Sequence, residues 1–490
     1  MALCHNGPVA DRIVQLRKLT SSPALSAHLE HLGLTLEVDP EVNPGGVLAR
    51  SLELGRAGVA SNRFATLPME GWDGTADGRP TELVERRWFR FGASGAGLIW
   101  GGEAFAVVPE GRANPNQLCL GPTSVADLTR LRRAIAAGRR STLGTDDGVV
   151  VGLQLTHSGR WSRPHGAPAP RTAYAHPVLD ARVGATAASI LSDGELDDLI
   201  GHYVAAALAA AEAGFDFVDV KQCHGYLGHE LLSGVDRPGP YGGDLEGRSR
   251  FITRVITEIR AAAPTLGIGT RLSAYDQVPF VQGPEGIGIP DPLAPSPYPS
   301  AFGGDGTGAG IDLTEVHQLL SRLTEAGVEM CCVTAASPYY NPHLVRPAYF
   351  PPSDGYLLGH DPLVELVQMV EVTRAIATVH AELVVVGSGL TYLQEHFGTV
   401  AQALVGNGAV DVVGLGRMAL SYPTLPADLL AGRPLVRAQL CRTFSDCTTA
   451  PRNGLISGCY PIDEHYKHRP ERVELAKVKR AAEATRRSGS

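Results

Sequence analysis

Eight short runs rich in Val, Ile, Leu and Phe recur along this chain, each trailed by a helix-periodic stretch. That alternation restricts the fold more than any other feature. The runs lie at 59–67, 97–101, 149–155, 215–220, 267–272, 328–334, 383–387 and 410–414. Strands alternating with helices imply βα units and a parallel sheet. Eight of them is the number that closes an α/β chain into a (β/α)8 TIM barrel. The helix ahead of the fourth run has the clearest local signature. Ser192 and Glu195 read as a capping box, apolar residues recur at 196, 199, 200, 203, 204, 207 and 208, and Gly214 stops it.

The barrel accounts for residues 46–435. Residues 1–45 read as a helical arm and 436–490 as a cysteine-containing extension. Residues 52–54, a turn at 55–58 and 59–64 suit a hairpin plugging the barrel floor. Between 277 and 310, 15 of 34 residues are Gly or Pro, so a long irregular loop is expected over the face that follows the fifth strand. A lid or a contact between copies in a homo-oligomer is its expected role. A net charge of −8 excludes a basic nucleic-acid face. The sequence holds no apolar run of 18 residues and no N-terminal signal region, so a cytoplasmic protein without membrane contact is expected. Eight cysteines in 490 residues do not make a secreted disulfide framework.

In an α/β barrel, chemistry gathers where strands end. Residues 218–251 read VDVKQCHGYLGHELLSGVDRPGPYGGDLEGRSRF, setting Lys221, His224 and Tyr226 just past the fourth strand. That sets a cation, an imidazole and a phenol where catalytic groups of such a barrel gather. HGYL, YGG and RSRF in this stretch resemble the substrate loop of the Old Yellow Enzyme family of FMN-dependent oxidoreductases. Three positions depart from that pattern: Lys221 stands for its first His, Gly239 for its Asp and Gly247 for its Asn.

The resemblance implies a flavin laid across the barrel mouth. Pro68, Met69 and Glu70 after the first strand, and Gly102 and Ala104 after the second, would lie beside the ring. Gln154 would meet its pyrimidine edge, and Arg271 its N1–C2=O side. Gly387, Ser388 and Gly389 after the seventh strand, with Gly416 and Arg417 after the eighth, would hold the phosphate. Taken singly, each motif has a plainer reading: GSG as a βα turn, Arg271 as an ion-pair residue, Gln154 as a core amide.

The resemblance assigns His224 and Lys221 to holding a substrate oxygen and Tyr226 to protonation. Lys221 widens the expected substrates toward carboxylate-bearing or other anionic molecules. The plainer readings are a Lys221–Glu70 ion pair, a structural His224 and a packing Tyr226. Tyr339, Tyr340 and His343, after the sixth strand, are candidates for the substrate-pocket wall.

Cys441, Cys447 and Cys459 stand at C-x5-C-x11-C. The family branch with 2,4-dienoyl-CoA reductase and trimethylamine dehydrogenase carries C-x2-C-x3-C-x11-C around an iron–sulfur cluster. Here its first two positions are Leu440 and Thr443, so a four-thiolate cluster is not expected. Zinc or a three-iron site is the alternative to three free thiols. About 30 residues follow Cys459 here, so a second, dinucleotide-binding domain is not expected.

The expected function is NADH- or NADPH-driven reduction of an activated C=C bond or related electrophile, with FMN as cofactor and a small molecule as substrate. A flavin-dependent dehydrogenase or demethylase is the second reading. A flavin-binding protein without redox turnover is the third.

Overall fold

A computed structural model describes residues 13–121 and 123–488. Its centre is a ring of eight parallel strands: β1 (Phe64–Thr66), β2 (Leu98–Ile99), β3 (Val150–Thr156), β4 (Phe217–Val220), β5 (Gly267–Ser273), β6 (Met330–Thr334), β7 (Val384–Gly387) and β8 (Val412–Leu415). Each pairs with its neighbours in chain order, β8 pairs with β1, and β2 pairs with β3. Ladders of hydrogen bonds therefore run round the ring, and a (β/α)8 TIM barrel results.

Helices Glu82–Gly92, Ser124–Leu143, Asp193–Glu212, Leu245–Ala262, Thr314–Ala326, Leu363–Val379 and Phe397–Gly406 separate successive strands. The third opens on the expected capping box. Ser192 Oγ accepts from Glu195 N, and Glu195 accepts from Ser192 N. Its buried stripe is 196, 199, 200, 203, 206, 207 and 210. The stripe therefore follows the 3.6-residue period past Leu208, which is exposed.

The first strand is shorter than the sequence suggested. Val59–Ala60 leaves the barrel and pairs antiparallel with Leu52–Glu53, and only Phe64–Thr66 joins the ring. Asn62 causes the break, its Oδ1 accepting from Phe64 N and Gly97 N and its Nδ2 donating to Gly95 O. The resulting hairpin seats Leu54, Ala57 and Ala60 against Trp100, Phe217, Met330 and Val412 inside the ring. Gly267 permits this approach, since a Cβ there would lie 2.8 Å from that of Ala57. The lower half of the barrel is thus filled, and open space remains at the strands' C-terminal ends.

Three outer segments close round that end. Helix Ser22–His31, capped by Ser21, buries Leu25 and Leu29 in the main core. Residues 277–310 are more ordered than their composition suggested. Phe280–Gln282 and Gly288–Pro290 pair antiparallel, and Arg182 bonds to Asp291. The C-terminal extension lies against the mouth, tied there by Arg86–Asp463 and Arg452–Asp354 ion pairs. Among the described residues no helix is long and apolar enough to cross a membrane.

Candidate active site at the barrel mouth

One cavity at the C-terminal ends of the strands is lined by Pro68, Met69, Glu70, Gln154, Lys221, His224, Tyr226, Arg271, Tyr339, Gly389, Gly416 and Arg417. Twelve residues expected from sequence therefore meet in one place, drawn from the ends of β1, β3, β4, β5, β6, β7 and β8.

Strand parity explains the inner wall. Phe217, Asp219 and Lys221 alternate along β4, so all three point into the barrel. Asp219 is fully buried and accepts from Trp100 Nε1 at 2.8 Å, Gln154 Nε2 at 2.6 Å and Arg271 N at 2.7 Å. Burial pushes its carboxyl up to about 6, against those donors. An acceptor at that position holds Gln154 with its amide nitrogen inward, leaving its Oε1 as the acceptor for a ligand N–H.

Beyond this layer stand the three groups after β4. The loop turns back at His224, whose φ is 68°. Its carbonyl accepts from Ser337 Oγ at 2.7 Å and its N–H donates to Ser273 Oγ at 3.1 Å. Burial, then Arg271 and Lys221, holds its imidazole well below the usual range, so it is neutral at neutral pH. His224 Nε2 is buried with no protein partner. Tyr226 Oη is 3.1 Å from Tyr339 Oη. Burial, then the charge of Glu70, keeps the Tyr226 phenol well above its ordinary pKa and therefore protonated. Burial likewise raises the Glu70 carboxyl, opposed by Lys221 and Arg271, and Gln117 Nε2 donates to it at 3.0 Å. No ion pair joins Lys221 to Glu70 among the described residues.

Several expected residues lie outside this cavity. Gly102 and Ala104 do not line the cavity. The Gly102 carbonyl accepts from Met69 N at 2.9 Å, and Ala104 lies in a short strand, Ala104–Ala106, flanking β3. Glu103 between them is held in a buried network with Arg87, Asp73, Trp88 and Gly71 N. Gly387 and Ser388 also fall short, since Ser388 Oγ donates to Val333 O at 2.6 Å. Tyr340 turns away from the mouth because its hydroxyl donates to buried Asp276 at 2.5 Å. His343 pairs with Tyr356 Oη at 2.7 Å and packs on Phe280.

The three C-terminal cysteines are free, and among the described residues no group of three His, Cys, Asp or Glu is placed to hold a metal. Burial pushes the Cys447 thiol up to about 11 and raises Cys441 and Cys459 as well. Cys447 instead forms part of the cavity wall. Gly247, where the related motif has Asn, has a backbone reason: a Cβ there would sit 2.1 Å from the Gly242 carbonyl.

The structure also adds residues that the motifs did not contain. Trp72, Val345, Arg346, Thr391, Thr448 and Arg452 line the same cavity. Asp219 carried a signal, being a carboxylate at an inward position of an apolar strand. Arg346 and Thr448, 102 positions apart, are brought together by the fold alone.

The arrangement fits a flavin nucleotide. Arg271 Nε lies buried and unbonded near Gln154 at one part of the wall, and Arg417 Nη1 does so beside Gly389 and Gly416 at another. The first pair suits a heterocycle with carbonyl and imide edges, the second an anion. Leu67, Pro68 and Met69 supply apolar surface between them.

Comparison with known proteins agrees with this geometry. Residues 52–283 match the NADH:flavin oxidoreductase / NADH oxidase family. An NADPH dehydrogenase from Halalkalibacterium halodurans is 29% identical over 161 residues, 32% of this chain and 43% of that protein. The match thus spans less than half the length of that relative. Among solved structures, a 2-naphthoyl-CoA reductase complex superposes with a TM-score of 0.63 at 15% identity, covering 89% of this chain and 58% of the other. The old yellow enzyme homologue from Zymomonas mobilis gives 0.52 at 20% identity, covering 79% of this chain and 94% of its own.

Proposed function

We propose that this chain, whose residues 52–283 match the NADH:flavin oxidoreductase / NADH oxidase family, is an FMN-dependent reductase of activated C=C bonds or related electrophiles. The observation that carries this reading is the convergence of Lys221, His224 and Tyr226 with unbonded Arg271 Nε and Arg417 Nη1 in one cavity. FMN held there, reduced by NADH or NADPH, supplies hydride to one carbon of the substrate.

The chain's own groups do the rest. The Lys221 ammonium and the neutral His224 imidazole hold the electron-withdrawing oxygen and stabilise the charge that develops on it. Tyr226 keeps its proton until the neighbouring carbon becomes basic, then donates it, with Tyr339 Oη in position to bond the phenolate oxygen left behind. Buried Trp161, stacked 4.4 Å from Tyr339 at 9°, fixes the orientation of that phenol.

Charge sets the substrate class. Arg271 and Arg417 face the flavin in this reading and Arg452 is paired with Asp354, which leaves buried Lys221 as the cation on the substrate side. Such a cation favours a carboxylate or another anionic small molecule and disfavours the cationic amine that a demethylase would take. A cytoplasmic setting suits the seven free thiols of the described residues.

The test is direct. Purified protein should be yellow, and anaerobic NADH or NADPH should bleach it. Enones, enoates and nitroalkenes should then restore the colour at different rates. Protein that is colourless and takes up no FMN on reconstitution overturns the cofactor. Bleaching that no acceptor in the panel reverses overturns the C=C assignment.

A further inference from the structure

Two guanidinium groups sit in one wall of the cavity, and among the described residues no carboxylate is bonded to either. Arg417 is 7% exposed; its Nη2 donates to Pro347 O at 2.8 Å, while its Nη1 is buried and unbonded. Pro347 follows Arg346, whose Nη1 bonds to Thr448 Oγ1 and whose Nη2 is buried and unbonded. The neighbouring acid, Asp354, is already taken by Arg452, with contacts of 2.5 and 2.6 Å. Burial, then the charges of Arg452 and Arg417, pushes the Arg346 pKa down. A like-charge pair whose spare N–H donors are buried is costly until an anion neutralises it.

Donor count points to the kind of anion. Arg346 Nη2 and Arg417 Nη1 share the wall with Gly389, Gly416, Thr391 and Thr448. That is more hydrogen-bonding capacity than one carboxylate uses, and it suits the three terminal oxygens of a phosphate monoester. Resting on the flavin reading above, we propose that Arg346, from the loop after β6, forms with Arg417 a two-arginine clamp on the flavin phosphate. Arg346 thereby sets the preference for FMN over riboflavin.

The experiment is a titration of flavin-stripped full-length protein with FMN and with riboflavin, followed by quenching of flavin fluorescence. Wild type should prefer FMN. R346M should weaken FMN roughly ten- to hundredfold and riboflavin less than about twofold, as expected for losing charge-assisted hydrogen bonds to one ligand only. R346K should recover part of the loss, because it restores charge without the planar fork. Unchanged riboflavin affinity also shows that the variant is folded. R346M that keeps the wild-type preference, or weakens both flavins alike, overturns the proposal. Wild-type protein that takes up neither flavin overturns the flavin reading itself, a distinct result.

Discussion

Lys221 Nζ lies 3.9 Å from the centroid of the Tyr226 ring. The ammonium therefore rests on a π face, in a side chain only 3% exposed, and no ion pair claims it among the described residues. A cation held this way keeps its N–H donors for a ligand while the ring keeps it in place. Lys221→Met removes the charge and preserves the stem. Transfer to substrate should slow about a hundredfold, the cost of losing one donor to a developing oxyanion. Reduction by NADH or NADPH should change far less. Stopped-flow absorbance on each half-reaction checks this, and small equal effects on both would take Lys221 out of the substrate site.

Asp219 offers a second test, because three donors converge on it inside the barrel. In Asp219→Asn the side chain keeps its shape but presents N–H where an acceptor is needed. At least one buried donor then goes unbonded, at a cost of about 1–3 kcal/mol. Thermal unfolding of the flavin-free protein should register that loss. Gln154 should also lose its fixed orientation, so flavin affinity should fall in the same variant.

The Arg87 network braces the first two strand ends. Arg87 donates to Asp73 at 3.0 and 2.5 Å and to Glu103 at 2.8 Å, and Glu103 also holds Gly71 N. Arg87→Met strands two carboxylates in a dry interior and should cost about 3–5 kcal/mol. Urea denaturation gives the number. A midpoint within error of wild type would show that solvent reaches the network.

Buried imidazoles should pull stability down as pH falls, against the opposite pull of Glu103, Asp219 and Asp276, whose carboxyls burial lifts to about 7, 6 and 7. Burial holds His157, His176, His229 and His343 down to about 3, below the ordinary 6.5. The unfolded chain binds these four protons first, so the stability present above pH 6.5 is lost as pH falls toward 3. Each proton contributes about 1.4 kcal/mol per pH unit through that window. The direct check is the rings themselves: NMR titration from pH 7 to 4 should find the four imidazoles neutral throughout. A ring that titrates near 6.5 in the folded protein would mean that water reaches it.

Much of this architecture was readable because β-branched runs and capped helices are local signals. The eight strands, the Ser192–Glu195 cap and the Lys221-His224-Tyr226 spacing all depend on near neighbours. Expectation and cavity wall part where one residue of register decides direction. Gly102 and Ala104 flank Glu103, and the buried Arg87 draws Glu103 outward from the mouth. Tyr340 is next to Tyr339, yet Asp276 captures its hydroxyl while Tyr339 meets Tyr226. Arg346, Thr448 and Arg452 carried no motif, because their meeting is made by the packing of the C-terminal extension on the loop after β6.

The hairpin under the barrel has a kinetic consequence. With Leu54, Ala57 and Ala60 wedged below Trp100 and Phe217, the barrel floor is closed, and among the described residues the cavity lies above the strands. On the proposed function, reductant and oxidant would share that cavity and use it in turn. Initial-rate plots for the two should run as parallel lines, the mark of an enzyme that releases one product before admitting the next reactant.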